Sequence, residues 1–324
     1  RALRIVEKVL GPEHPNVATT VNNLGLVLKA LGDLAGARDA FDRALRIDAA
    51  AFGPDHPNVA IRVNNLGSVL QDLGDLAGAR AHYERALRIV EKVLGPEHPN
   101  VATTVNNLGL VLKALGDLAG ARDAFDRALR IDAAAFGPDH PNVAIRVNNL
   151  GSVLQDLGDL AGARAHYERA LRIDEAAFGP DHPNVATDVN NLGSVLQDLS
   201  DLAGARAHYE RALRIDEAAF GPDHPNVATD VNNLGLVLKA LGDLAGARAA
   251  YERALRIDEA AFGPDHPNVA RDVNNLAGVF YAEGDLAGAR DAFDRALRIL
   301  VQFLPPDHPY ITNLRGKLAA LDDD

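Results

Sequence analysis

The sequence contains no cysteine. That removes disulfides, thiolate chemistry and Cys-based metal sites together, and it suits a reducing compartment, so a cytoplasmic location is expected. No apolar run approaches the roughly 18–20 residues needed to cross a bilayer, so no membrane partner is expected. Basic runs are missing too, and the formal net charge is −12. A nucleic-acid binder normally presents a clustered basic surface, so nucleic acid is set aside as a partner. Methionine is absent and the chain starts in mid-pattern with RALRIVEKVL, so a longer parent sequence is expected. No secretory leader is recognisable.

What the sequence does have is repetition. His-Pro recurs at His14, His56, His98, His140, His182, His224, His266 and His308, always 42 residues apart. Residues 1–84 are identical to residues 85–168, so two versions of the unit alternate. One reads VNNLGLVLKALG, as at Val21–Gly32, and the other VNNLGSVLQDLG, as at Val63–Gly74. A fixed period of this length is the signature of a repeat architecture, which grows by adding units rather than by enlarging one core.

Each unit reads as two helices. Pro15 suits a first helical position, where φ near −65° is wanted and a missing N–H costs nothing. Val17, Val21, Leu24, Leu28 and Leu31 then recur at spacings of three and four, one helix face. Gly32 suits the helix C-terminus and Asp33 the next N-cap. The second helix carries Leu34, Ala37, Phe41, Ala44, Leu45 and Phe52 and stops at Gly53-Pro54. Asp39 with Arg43, and Asp42 with Arg46, are spaced for i,i+4 pairs on its solvated side. Gly25 and its equivalents sit in mid-helix, where Gly costs about 0.8–1 kcal/mol against Ala, so close approach of a partner helix is expected there. The domain organisation predicted is a single repeat domain. Residues 1–10 form the remnant of a second helix, 15–308 seven helix-hairpin repeats, and 309–321 a C-terminal capping helix.

Leu24, Gly25, Leu28, Gly32, Ala37, Phe41, Ala44 and Leu45 fall in the order and spacing of the tetratricopeptide consensus. The stretch HPNVATTVNNLGLVLKALGDLAGARDAFDRALRI with its Gly-Pro-Asp/Glu-His-Pro joint resembles the 42-residue repeats of kinesin light chains. The resemblance implies an all-α fold, a right-handed superhelical solenoid of antiparallel helix hairpins. Its first helices would line a concave face that binds extended peptides. Carried over by position, the channel-facing residues of the first full repeat are Thr19, Asn22, Leu26 and Lys29, with Asn23 flanking. In the second repeat they are Ile61, Asn64, Ser68 and Gln71, with Asp72 flanking. The family pattern ends at Tyr310–Leu321, where the Asn-Asn pair is lost.

The candidate peptide-binding residues are therefore Asn22, Asn64, Asn106, Asn148, Asn190, Asn232 and Asn274, with Lys29, Lys113 and Lys239 and with Gln71, Gln155 and Gln197. Two readings of the Asn-Asn pairs compete: a ladder of amides gripping a ligand backbone, or amides bonded to the neighbouring repeat. Alternation of the three lysines with Asp72, Asp156 and Asp198 predicts a ligand of mixed charge or several copies of a short motif. The His-Pro histidines lie one repeat apart and cannot share a metal ion, so they read as helix caps and no metal site is expected. His82, His166 and His208, within second helices, read as exposed. GDLAGAR lacks the phosphate-loop pattern and reads as the interhelical turn, so no cofactor is expected.

A catalytic site is a unique constellation of unlike residues. A surface that repeats itself unchanged offers none, so no enzyme is expected. The function read from the sequence is a protein-protein interaction scaffold for an extended peptide or partner of unknown identity. Its rivals are a structural solenoid that self-associates end to end, and the sensor arm of a multidomain signalling ATPase.

Overall fold

The structure, a computed structural model, describes residues 2–321, which form sixteen helices and no strand. They are α1 (Ala2–Leu10), α2 (Pro15–Ala30), α3 (Leu34–Phe52), α4 (Pro57–Asp72), α5 (Leu76–Leu94), α6 (Pro99–Ala114), α7 (Leu118–Phe136) and α8 (Pro141–Asp156). There follow α9 (Leu160–Phe178), α10 (Pro183–Asp198), α11 (Leu202–Phe220), α12 (Pro225–Ala240), α13 (Leu244–Phe262), α14 (Pro267–Glu283), α15 (Leu286–Leu300) and α16 (Pro309–Ala320). Even-numbered helices are the first of each hairpin and the following odd-numbered ones the second. The chain divides into two compact units, residues 1–166 and 167–324.

The ends of the helices follow from local chemistry. His14 is the N-cap of α2: its ring Nδ1 accepts the Asn16 N–H at 3.1 Å, and Pro15 takes the first helical position. The turn into α3 runs through Gly32 at φ +82°, a left-handed conformation that disfavours a Cβ. Asp33 then caps α3, its carboxylate accepting the Gly36 N–H at 2.9 Å.

In the first unit the core runs continuously from one hairpin into the next. Val59, Ala60 and Val63 of α4 pack with Ala86, Ile89 and Val90 of α5, with Val101, Ala102 and Val105 of α6, and with Ala128 and Ile131 of α7. A hairpin alone would leave half of these side chains in water; the next repeat covers them. The mid-helix glycines mark the tightest approach. A Cβ on Gly25 would lie 2.7 Å from the ring of Phe41, which is fully buried. The apolar face is incomplete at one place. Leu24 is 41% exposed, whereas its counterpart Leu66 is 4% exposed. Leu66 packs against α3 through Phe41 and Ala37, while the helix before α2 is the short α1.

The second unit repeats this packing, and one of its buried tyrosines lacks a polar partner. Tyr83 and Tyr209 have their hydroxyls beside Ser68 and Ser194 of the preceding helix. Tyr251 is fully buried, but Leu236 stands in the serine position, and its hydroxyl has no hydrogen-bond partner. Phe41 and Phe125 show the apolar solution, each opposite the version of the repeat that carries leucine. Tyr251→Phe is therefore expected to stabilise the α12–α13 hairpin by about 1–2 kcal/mol, because an unpaired buried hydroxyl is removed without a cavity. Urea denaturation of the variant checks this, and a loss of stability contradicts it.

Candidate functional site

The recurring asparagines bond from one repeat to the next. Asn65 donates to the Asn22 amide oxygen at 2.8 Å, Asn107 to Asn64 at 3.3 Å, Asn149 to Asn106 at 2.7 Å, and Asn275 to Asn232 at 2.8 Å. Asn22, Asn106 and Asn232 are 3–4% exposed. Their side-chain oxygens are therefore committed to the stack. Asn64, Asn148, Asn190 and Asn274 are half-buried on the same helix face. Asn190 donates to Asp230 instead, and its own oxygen is buried without a partner. Asn274 accepts from Lys317 at 3.0 Å.

The lysines also reach along the stack. Lys29 lies 2.5 Å from the Ser68 hydroxyl and 3.0 Å from the Asp72 carboxylate. Lys113 makes the same bonds to Ser152 and to Asp156, the latter at 3.2 Å. The alternating charges that suggested a ligand of mixed charge are thus matched within the first unit. Lys239 differs, because Gly278 and Ala282 stand where its serine and aspartate partners would be. Burial pushes its pKa down. Gln71 accepts from the Tyr83 hydroxyl at 3.4 Å, and Gln155 and Gln197 are half-buried at the equivalent places.

All eight His-Pro histidines are N-caps, each with Nδ1 accepting the N–H two residues on. Phe52 stacks on His56 at 4.5 Å between ring centres, and the contact recurs down the chain. His82, His166 and His208, expected to be exposed, are half-buried, each with Nδ1 against the carbonyl four residues back. Arg43 is likewise drawn away from Asp39: it bonds Glu7 of the preceding second helix at 2.7 Å.

Sequence reasoning missed the residues fourteen apart that meet where a second helix faces the next first helix. In the first unit Asp48 receives Arg62 Nε at 2.9 Å and Asp132 receives Arg146 Nε at 2.8 Å. Val90 and Thr104 occupy the corresponding places between these pairs. In the second unit three such places hold two acids, Asp174 with Asp188, Asp216 with Asp230, and Asp258 with Asp272, whereas Leu300 and Leu314 take them between α15 and α16. All six acids are at least 95% buried. Burial above all, with the Asp216 carboxylate beside it and against the opposing Asn190 bond, pushes Asp230 up to about 7. Burial likewise pushes Asp272 up to about 7, against the pull of Arg271. The signal was present in the sequence: Arg follows Asp by fourteen residues twice, and Asp follows Asp three times.

Two cavities open on the first-helix face of the second unit. One, of about 490 Å³, is lined by amides, hydroxyls and carboxyls, among them Thr187, Asn190, Asp216, Thr229, Asp230 and Asn233. The other, of about 740 Å³, lies between α14 and α16 and is lined by Leu236, Arg271, Asn274, Phe303, Tyr310 and Lys317, among others. No helix of the described residues is long and apolar enough to cross a membrane.

The tetratricopeptide repeat profile matches residues 1–50, 17–67, 59–134, 102–151, 144–193, 187–260 and 228–302. No curated protein matches the chain. Among solved structures, BtubC (BKLC) from P. vanneervenii is similar at 24% identity with a TM-score of 0.56, over 73% of this chain and 93% of that one. A kinesin light chain-like protein of Podosopora anserina with nearly identical TPR-like repeats matches at 20% identity and TM-score 0.55, over 64% of this chain and 98% of its own. The apo form of RapI matches at 15% identity and TM-score 0.67, over 87% and 97%. At these identities the likeness is one of fold, and the repeat profile running through the chain shows that this protein belongs to the tetratricopeptide repeat family.

Proposed function

We propose that the chain is a protein-interaction scaffold that holds an extended segment of a partner along the face made by its first helices. One observation carries this reading: that face opens, in the second unit, into cavities lined by amides, hydroxyls and carboxyls, and the buried Asn190 side-chain oxygen there has no hydrogen-bond partner. Side-chain amides both donate and accept, which suits an extended main chain whose own N–H and C=O groups need partners. Exposed Leu26, Ile61 and Ile145 add apolar contact on the same helices of the first unit.

Selection from a displayed library of random twelve-residue peptides, followed by calorimetric titration of the winners, tests the reading. Asn190→Ala combined with Asn233→Ala is expected to weaken the selected peptides about tenfold or more, since two polar contacts of about 1 kcal/mol each are lost. Unchanged affinity would remove the amides from the site, and a failure to enrich any peptide counts against the scaffold itself.

A second reading rests on exposed apolar side chains on α1, on α2 and at the C-cap of α2. Ile5 is 55%, Val9 72%, Val27 54% and Leu31 76% exposed. End-to-end association of copies through this edge would cover them. Sedimentation velocity at rising concentration decides it, because an invariant monomer is incompatible with such stacking.

A further inference from the structure

The acid pairs of the second unit are placed where the first unit holds a guanidinium. Arg62 lies between repeats with Nε on Asp48 and Nη2 3.2 Å from the Thr19 hydroxyl. One hundred and sixty-eight residues later the same cradle consists of Asp216 and Thr187, but Asp230 replaces the arginine. The result is two carboxyls in place of an ion pair. Asp216 is 5% exposed and Asp230 1%, and each keeps one carboxyl oxygen without a hydrogen-bond partner. Both line the 490 Å³ cavity on the first-helix face. A buried acid pair of this kind lacks a cation.

The next repeat shows how a cation reaches such a pair. Arg271 stands on the first-helix face with its side chain 36% exposed. Its Nη2 lies 3.2 Å from Asp258 Oδ2 and 2.9 Å from Asp272 Oδ1. A guanidinium entering from that face therefore bridges both acids. The residue in the Arg271 position one repeat earlier is Thr229, whose short side chain lines the cavity instead. We propose that the cavity over Asp216 and Asp230 is a subsite for the guanidinium of an arginine in an extended partner peptide, entering as Arg271 does one repeat on. The inference rests on the scaffold reading and adds the chemistry of one ligand side chain. A planar fork of donors suits two carboxyls better than a point charge does.

The test uses a synthetic peptide, acetyl-Ser-Gly-Arg-Gly-Ser-amide extended by a fluorophore, and its citrulline analogue, in which a neutral urea replaces the guanidinium. Fluorescence anisotropy on the whole chain is expected to show the arginine peptide binding at least tenfold more tightly than the citrulline peptide. Thr187→Arg with Thr229→Arg places an internal guanidinium beside each of the two acid pairs before Asp258–Asp272. This variant is expected to lose that preference while its thermal unfolding temperature rises. Asp39→Asn with Asp123→Asn removes two exposed charges in the first unit and is expected to change affinity less than twofold, which separates the subsite from general attraction to an acidic protein. Equal binding of the two peptides, or full affinity in the double-arginine variant, overturns the proposal. If the arginine peptide fails while a library-selected peptide still binds, the subsite falls and the scaffold reading stands. If no peptide binds, both fall.

Discussion

Arg146→Leu is expected to cost the first unit about 3–5 kcal/mol, the usual penalty for leaving a buried charge without its partner. Asp132 is 1% exposed, and Arg146 supplies its charge-assisted bond at 2.8 Å. Leucine would fill part of the space but leave a carboxylate in an apolar interface. The chain itself contains the compensating exchange. Between α5 and α6 the same two places hold Val90 and Thr104, the threonine hydroxyl donating to the Asn100 carbonyl at 3.1 Å. Asp132→Val with Arg146→Thr is therefore expected to recover most of the loss, since a buried ion pair replaced by packed neutral side chains is often neutral or better. Hydrogen exchange across α7 and α8 is the appropriate readout, because a repeat array opens locally rather than all at once. A single substitution costing under 1 kcal/mol would mean that water reaches Asp132 and that the pair is not a buried one.

Raising the pH from 5 to 8 is expected to weaken the second unit. The sign follows from the direction of the shifts. In the folded chain Asp230 and Asp272 are pushed up to about 7, and Asp174, Asp216 and Asp258 are raised as well, all chiefly by burial. Unfolded aspartates ionise near 3.9. Between roughly pH 4 and 7 the unfolded state thus binds fewer protons than the folded one, and stability falls with rising pH by up to about 1.4 kcal/mol per pH unit per group. The favourable contribution is complete below pH 4 and gone above 7. Asp230→Arg restores at Asp216 the arrangement seen at Asp48 and Arg62, so it is expected to raise stability at pH 8 and flatten the local slope. Hydrogen exchange of α11 and α12, corrected for intrinsic rates, measures both. A variant as pH-sensitive as the parent would show that Asp230 is not the titrating group. The same charge deficit underlies the guanidinium subsite, since a bound cation relieves it as a proton does.

Much of the fold was legible because its determinants are local. Pro15, Gly32, Asp33 and Gly53 act on their own backbone neighbourhoods, and α2 and α3 begin where Pro15 and Leu34 stand in the sequence. The 42-residue period carried the rest of the helix order. The candidate site was less legible. Asn22 and Lys29 were read as facing a channel, yet their partners Asn65, Ser68 and Asp72 are 39 to 43 residues away, in the next repeat. The period alone shows that two repeats are neighbours, not which side chain of one meets which of the other.

The sequence by itself determined the helix hairpins, their caps and their family, because backbone chemistry within a few residues decides these. Only the tertiary structure decided that the oxygens of Asn22, Asn106 and Asn232 are spent on the stack, that Lys29 and Lys113 are already paired, and that acids fourteen apart face each other. Those contacts depend on the stagger between adjacent repeats. A shift of one residue would turn each of these side chains toward a different neighbour.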